Sequence, residues 1–220
     1  MAAGGALLQL QFERGAHICH LFESTQEQMA VTKRFFNDGL ALGEYCAYVA
    51  PDQSLEDCYL ELQAYGIDVP TERAKRALEV FSGPDYRGTG EFNSLLKARE
   101  LLGLIDSKRG DFTGLRIVGD VGWTLNPQLA VDRLCHWEAT ANLVFEDTDA
   151  RAICQYDLKR HLPAALHAAL RTHRIVIFEG QARQNPFYEA SEILANEPDL
   201  NQSDADALKI EDMLTRLRNS

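Results

Sequence analysis

A chain of 220 residues is long enough for one α/β domain with a sizeable core. Hydrophobic residues make up 45% and charged residues 25%, ordinary globular usage; the net charge of −11 and a pI near 5.0 argue against a nucleic-acid backbone as main partner, because phosphate binding needs clustered Lys and Arg. No apolar run approaches the roughly 20 residues that span a bilayer, and the opening MAAGGALLQLQFERG lacks the basic and apolar regions of a signal peptide. Five cysteines, Cys19, Cys46, Cys58, Cys135 and Cys154, form no C-x-x-C pair, which points to free thiols in a reducing cytoplasm.

Residues 17–22 read as the first strand, with Cys19 and Leu21 on one face and His20 and Phe22 on the other. A helix follows, opened by Ser24 and Glu27 at capping-box spacing and carrying Met29, Phe36 and Leu40 as its apolar stripe. Residues 45–50 form a second strand. Residues 54–65 form a second helix, with Ser54 and Asp57 at capping distance and Gly66 as its stop. Residues 77–81 are a third strand. Residues 82–90, SGPDYRGTG, are a turn-rich loop expected on the active face, and residues 91–103 are the next helix. Residues 115–120 give a fourth strand and residues 128–145 a long helix.

Residues 151–188 hold the centre of the reading. An apolar run at Ala152-Ile153-Cys154 turns polar as Gln155-Tyr156-Asp157, a helix covers residues 158–173, and Ile175-Val176-Ile177-Phe178 closes a βαβ unit with parallel strands. Ligands of open α/β sheets sit outside the carboxyl ends of the strands. The ligand site is therefore expected there. Residues 1–195 are expected to form one domain and residues 196–220 a polar hinge with a short amphipathic helix, in which Ala207, Ile210, Leu214 and Leu217 fall at 3-4-3 spacing. Such a helix is too short to stand alone, so it docks on this domain or pairs with another chain through residues 203–220.

The sum is a three-layer α/β fold with a mostly parallel sheet of about six strands. In a RecA-like nucleotide-binding fold the first strand-to-helix turn would hold the phosphate loop, which needs glycines, a lysine and a hydroxyl. Here it reads Phe22-Glu23-Ser24-Thr25-Gln26-Glu27-Gln28, without glycine or lysine, so the loop is degenerate and ATP hydrolysis by the usual route is not expected.

Each candidate residue carries two readings. His17, Cys19 and His20 include metal-ligand types, but in an extended strand His20 points away from the other two, which favours a structural or hydrogen-bonding role. Cys19, Cys46 and Cys154 are small core residues unless they converge beside His17, in which case a redox or metal sensor becomes credible. Gln155, Tyr156 and Asp157 stand at a strand's carboxyl end, although Asp157 equally suits a helix cap. Glu138 and Asn142 share one helix face, as a buried pair near the site or as a solvated pair. His173 most simply interacts with its helix's dipole. Asn185 suits a turn, Tyr188 a lid or core packing, and Trp123 a pocket wall or core.

Read together, these pieces resemble the MEDS domain, a bacterial and archaeal sensory module named for methanogens, methylotrophs and a dichloromethane-responsive regulator. The matching pieces are Gly15-Ala16-His17-Ile18-Cys19 with Phe22-Glu23, then Gly39-Leu40 and Gly43-Glu44 before Cys46-Ala47-Tyr48-Val49. They continue with Gly114 to Asp120 and Trp123, Trp137-Glu138 with Asn142, Cys154 to Asp157, His173, and Asn185-Pro186-Phe187-Tyr188. The resemblance implies a RecA-like fold with a lost phosphate loop and the sensing of small molecules such as simple hydrocarbon derivatives. Members of this family often carry a histidine kinase or a DNA-binding domain. Only about 25 residues follow the module here, so output is expected through a partner in trans or a homodimer. The competing expectations are a Cys/His redox or metal sensor or enzyme built on Cys19, Cys154, His17 and Asp157, and a scaffold without ligand. No cofactor is indicated.

Overall fold

The computed structural model describes residues 12–50, 53–82, 93–122, 131–194 and 205–219. Seven strands form one sheet: β1 (His17–Phe22), β2 (Tyr45–Val49), β3 (Leu78–Phe81), β4 (Leu115–Asp120), β5 (Ala150–Asp157), β6 (Ile175–Phe178) and β7 (Gln181–Gln184). Their order is β3-β2-β4-β5-β1-β6-β7, parallel except for the last. The helices are α1 (Thr25–Ala41), α2 (Leu55–Ala64), α3 (Val69–Ala74), α4 (Ser94–Lys108), α5 (Val131–Glu146), α6 (Pro163–Thr172), α7 (Ser191–Leu194) and α8 (Ala205–Arg218).

Helices cover both faces of the sheet, which is why β1 and β2 are buried along their whole length. One core lies toward α1 and α2, where Phe35, Phe36, Met29 and Leu62 meet Ile18, Cys46, Tyr48, Val118 and Ile153. The other lies toward α4, α5, α6 and α8, where Leu134, Ala141, Leu166 and Leu170 meet Cys19, Ala47, Ile117, Ala152 and Tyr156. Successive strand residues alternate between these cores. That alternation decides which polar side chains can meet.

The expected βαβ unit exists with one difference. β5 and β6 are parallel, but β1 lies between them, with Cys19 opposite Cys154 on one side and opposite Val176 on the other. The connecting helix is shorter than residues 158–173. It starts at Pro163, where a missing N–H costs nothing, while Asp157 closes the preceding turn by accepting the Lys159 N–H on Oδ1 and the Arg160 and His161 N–H groups on its carbonyl. The helix expected at residues 91–103 runs instead over Ser94–Lys108, opened by Asn93 Oδ1 on the Leu96 N–H and continuing through Gly103. Both predicted serine caps form: Ser24 Oγ accepts from Glu27 and Ser54 Oγ from Asp57. Helix α3, capped by Asp68, and the antiparallel edge strand β7 have no counterpart in the sequence reading.

The C-terminal helix docks within the chain. Ile210, Met213 and Leu217 are buried in the α6-side core, and Arg218 pairs with Glu179 at 2.8 Å. Residues 196–204, where the polar hinge is expected, and all but Ser82 of the loop at residues 82–90, lie outside the described residues. No helix among the described residues is long and apolar enough to cross a membrane.

Candidate functional site

Four side chains from four elements converge on the α5 side of the sheet: His17 at the start of β1, Cys154 in β5, Glu138 in α5, and His173 just after α6. Their nearest ligand-type atoms all lie within 4.8 Å of one another. His17 Nε2 is 3.2 Å from Cys154 Sγ and 3.3 Å from Glu138 Oε2. Cys154 Sγ is 3.6 Å and His173 Nε2 is 3.7 Å from the same Glu138 oxygen.

The backs of these residues are held. Asn142, one turn along α5 from Glu138, donates through Nδ2 to the Thr172 carbonyl, so its Oδ1 accepts from His17 Nδ1 at 2.9 Å. His173 Nδ1 lies 2.8 Å from the Ala169 carbonyl, which makes it the donor there and leaves Nε2 bare. Among the described residues Nε2 of His173 has no hydrogen-bond partner. The Tyr156 hydroxyl donates to Glu138 Oε1 at 2.7 Å. The second histidine nitrogen thus faces inward in both cases.

Burial sets the electrostatics. Burial raises the Glu138 carboxyl, but hydrogen bonding with His17, the two neighbouring imidazoles and the Tyr156 hydroxyl outweigh it, and the group is held below the usual carboxylate range. Burial first, and the neighbouring His17 second, lower His173 to about 3, so it is neutral. Burial and then the Glu138 charge push the Cys154 thiol well above its ordinary value. The part of Cys154 that is not covered by protein faces a cavity.

That cavity, about 230 Å³, lies between the sheet and helices α4 and α5. Val49, Phe81 and Gly119 form its wall at the carboxyl ends of β2, β3 and β4; Leu101, Leu104 and Trp137 cover it; and His17, Glu138 and Cys154 make its polar end. The cavity does not lie beyond the carboxyl ends of β5 and β6, where the ligand site is expected: the strand ends that line it are those of β2 to β4, and it crosses the sheet's face to the amino end of β1.

The sequence candidates divide accordingly. His17, Glu138 and Cys154 meet, Asn142 and Tyr156 stand directly behind them, and Cys19 is buried on the same face. His20 is on the opposite face, so His17, Cys19 and His20 are not gathered around one point. The regular strand, without the bend such a set would need, keeps them apart. Cys46 also faces the other core, against the Phe36 carbonyl, so only two of the three strand cysteines approach His17. Gln155 points to that side too, donating to Thr32 Oγ1 and the Gln28 carbonyl, while Gln28 donates to Gln155 and to Asp120.

Glu23 is exposed, beside Lys159. Asp157 closes a turn. Asn185 donates to the carbonyls of Leu170 and His173 and so caps α6, and Tyr188 bonds Ser191 under the Arg174 guanidinium. Trp123 lies outside the described residues. His173 was legible as a helix-end residue, and one of its nitrogens does serve there; its second nitrogen enters the cluster only through the position of α6 against α5. Nothing in the local periodicity signals that Leu101 and Leu104 cover a cavity.

The architecture defines a RecA-like α/β domain. It superposes on a KaiC-like protein from the hyperthermophilic archaeon Pyrococcus horikoshii with a TM-score of 0.54 at 13% identity, over 75% of this chain and 72% of that one. The chain belongs to the MEDS family: the model described as "MEthanogen/methylotroph, DcmR Sensory domain" matches residues 16–174. His17, Glu138, Cys154 and His173 all fall within that span. No curated protein matches the chain.

Proposed function

We propose that this domain is a sensor whose ligand is a small, largely apolar molecule bound in the cavity between the sheet and helices α4 and α5. The observation that carries the reading is the cavity's composition: mostly apolar walls from Val49, Ile117, Leu101, Leu104 and Trp137, with polar groups at His17, Glu138 and Cys154 on one side and the paired Lys97 and Glu100 of α4 on another. Predominantly apolar lining with a few convergent polar groups is the general form of a small-molecule site, and 230 Å³ is below the roughly 300–1,000 Å³ of sites for drug-sized ligands. The sensory description of the family supports a regulatory role. Without a lysine or glycine in the β1–α1 turn, the domain is proposed to act without ATP hydrolysis, in the cytoplasm, and to signal to a protein partner such as a histidine kinase or transcription regulator, or to a second copy.

A route for the signal is available. His173 ends α6, and α8 packs on the same core through Ile210, Met213 and Leu217. A ligand that favours one position of His173 shifts the α6–α8 arrangement by its differential affinity for the two states. The test is thermal unfolding of the full chain with short alcohols, halogenated hydrocarbons and small aromatics, in the wild type and in Ala141→Leu, which fills the cavity. A ligand at about one hundred times its Kd should add about 2.7 kcal/mol to the wild type and nothing to the variant. No stabilisation of the wild type by the whole panel, or equal stabilisation of Ala141→Leu, would overturn the reading.

The 3.2 Å approach of His17 to Cys154 also suits a second reading, thiol chemistry in an enzyme or redox sensor. A nucleophilic thiol needs a lowered pKa, and burial with Glu138 drives Cys154 the other way, so the binding reading is preferred.

A further inference from the structure

Inside the cluster, one buried acceptor is left unserved. With His17 Nδ1 donating to Asn142 and His173 Nδ1 donating to Ala169, both Nε2 atoms are turned inward, and that of the neutral His173 presents a lone pair. Glu138 Oε2 presents another, because Tyr156 serves Oε1. The Cys154 S–H lies against Glu138 Oε2 at 3.6 Å and does not serve His173. His173 Nε2 is fully buried and has no hydrogen-bond partner among the described residues. Bringing lone pairs and a carboxylate together in a buried site is costly unless a positive charge sits between them.

We propose that His17 Nε2, His173 Nε2, Glu138 Oε2 and Cys154 Sγ bind one divalent transition-metal ion of the zinc class. Three observations support it. The ligand chemistry is right: imidazole and thiolate suit zinc and its neighbours, and a carboxylate completes a four-ligand set. The charge is right, since two neutral imidazoles, a carboxylate and a thiolate balance a divalent cation, the Cys154 proton leaving to solvent as the metal binds. The spacing is right as well. A tetrahedral ion with bonds of about 2.0–2.3 Å sets its ligand atoms roughly 3.3–3.7 Å apart. Four of the six separations are 3.2, 3.3, 3.6 and 3.7 Å, and all six lie within 4.8 Å.

The supporting layer fits too. Metal-bound histidines commonly donate their second N–H to a carbonyl or carboxylate, which fixes tautomer and ring orientation. Here the Asn142 amide oxygen and the Ala169 carbonyl take those roles, and the Tyr156 hydroxyl orients the carboxylate. Three of the four ligands also line the cavity, so the ion faces whatever enters it. The site does not depend on the cavity having a ligand.

The experiment uses the full chain, stripped with a chelator, desalted and titrated with Co²⁺ as an optical stand-in for zinc, with circular dichroism to confirm folding. The expected result is about one Co²⁺ per chain, with intense visible bands of a tetrahedral ion and a near-ultraviolet thiolate-to-cobalt band. Cys154→Ser should lose the near-ultraviolet band while Cys135→Ser keeps it, and His173→Gln should weaken binding at least about tenfold. The proposal is overturned if folded wild type retains no Co²⁺, if the spectrum is that of a weakly absorbing octahedral ion, or if the thiolate band survives Cys154→Ser. It is overturned equally if His173→Gln binds as wild type does.

Discussion

Two buried ionic clusters among the described residues differ in how fully their polar atoms are matched. At the amino end of the sheet Glu44 lies between Arg116 and Arg151: Arg116 donates to Glu44 Oε2 and, at 2.8 Å, to the Phe35 carbonyl, while Arg151 donates to Glu44 Oε1 and the Phe12 carbonyl at 2.7 Å each. Both carboxylate oxygens and the innermost guanidinium nitrogens are matched. The neighbourhood is tight around them: a Cβ at Gly39 would stand 2.5 Å from Arg116 Cδ. On the opposite face of the sheet, the cluster of His17, Glu138, Cys154 and His173 leaves His173 Nε2 without a donor among the described residues. Buried polar groups are normally satisfied. A satisfied cluster ties strands together; one short of hydrogens marks a place for something the chain does not itself supply.

The comparison is most easily broken with two glutamine substitutions. Glu44→Gln leaves two buried guanidinium groups with a neutral partner and should cost about 3–5 kcal/mol in urea unfolding. Glu138→Gln, measured in chelator, should cost far less, because the new amide keeps an acceptor for Tyr156 and gives the bare Nε2 of His173 a donor. Equal costs for the two variants would erase the distinction drawn here. Next in size is Asn142→Ala, which removes the acceptor that holds the His17 tautomer. It should weaken metal affinity about 10–100-fold, or about 1.4–2.7 kcal/mol, read by competition with a chromophoric chelator. Unchanged affinity would show that the amide only supports the Thr172 carbonyl.

An effect that builds only gradually with pH concerns a third polar group of the core, His20. Burial lowers it to about 3 from an ordinary 6.5, so the folded chain keeps it neutral while the unfolded chain takes up a proton. Its contribution is complete above pH 6.5 and is lost as the pH falls from 6.5 toward 3, by about 1.4 kcal/mol per pH unit. Asp120, joined to the same network through Gln28 and raised by burial, has the opposite slope. The difference between wild type and His20→Gln isolates the histidine: the variant should lose one proton's worth of slope between pH 6 and 4. An unchanged slope would place His20 in contact with water.

Local chemistry made much of this protein readable. Six of the strands, the serine caps and the three-layer arrangement follow from period-two apolar runs, capping hydroxyls and helix-spaced apolar residues, which act within a few residues of one another. Pro163 is an instructive miss. The apolar pattern after Asp157 suggests a helix from residue 158, but proline's fixed φ and missing N–H set the start five residues later. β7 escaped because QARQ has too little apolar character to read as a strand; it exists because the exposed side of β6 has free backbone groups to pair with.

The site was legible as a set of residue types and illegible as a set of partners. Strand alternation alone assigns His17 and Cys19 to one face and His20 to the other, and it separates Cys154 and Tyr156 from Gln155. It cannot say which helix covers which face. That β1 inserts between β5 and β6, that α5 brings Glu138 and Asn142 onto His17, and that α6 ends with His173 Nε2 turned inward are consequences of long-range packing, which no window along the chain contains. Periodicity and local hydrogen bonding dictate the fold's layers and are legible along the chain, as is a β1–α1 turn without glycine or lysine. The meeting of Glu138, Cys154 and the two histidines is set by long-range packing alone, because an unserved acceptor such as His173 Nε2 arises only when groups distant in the chain are buried together.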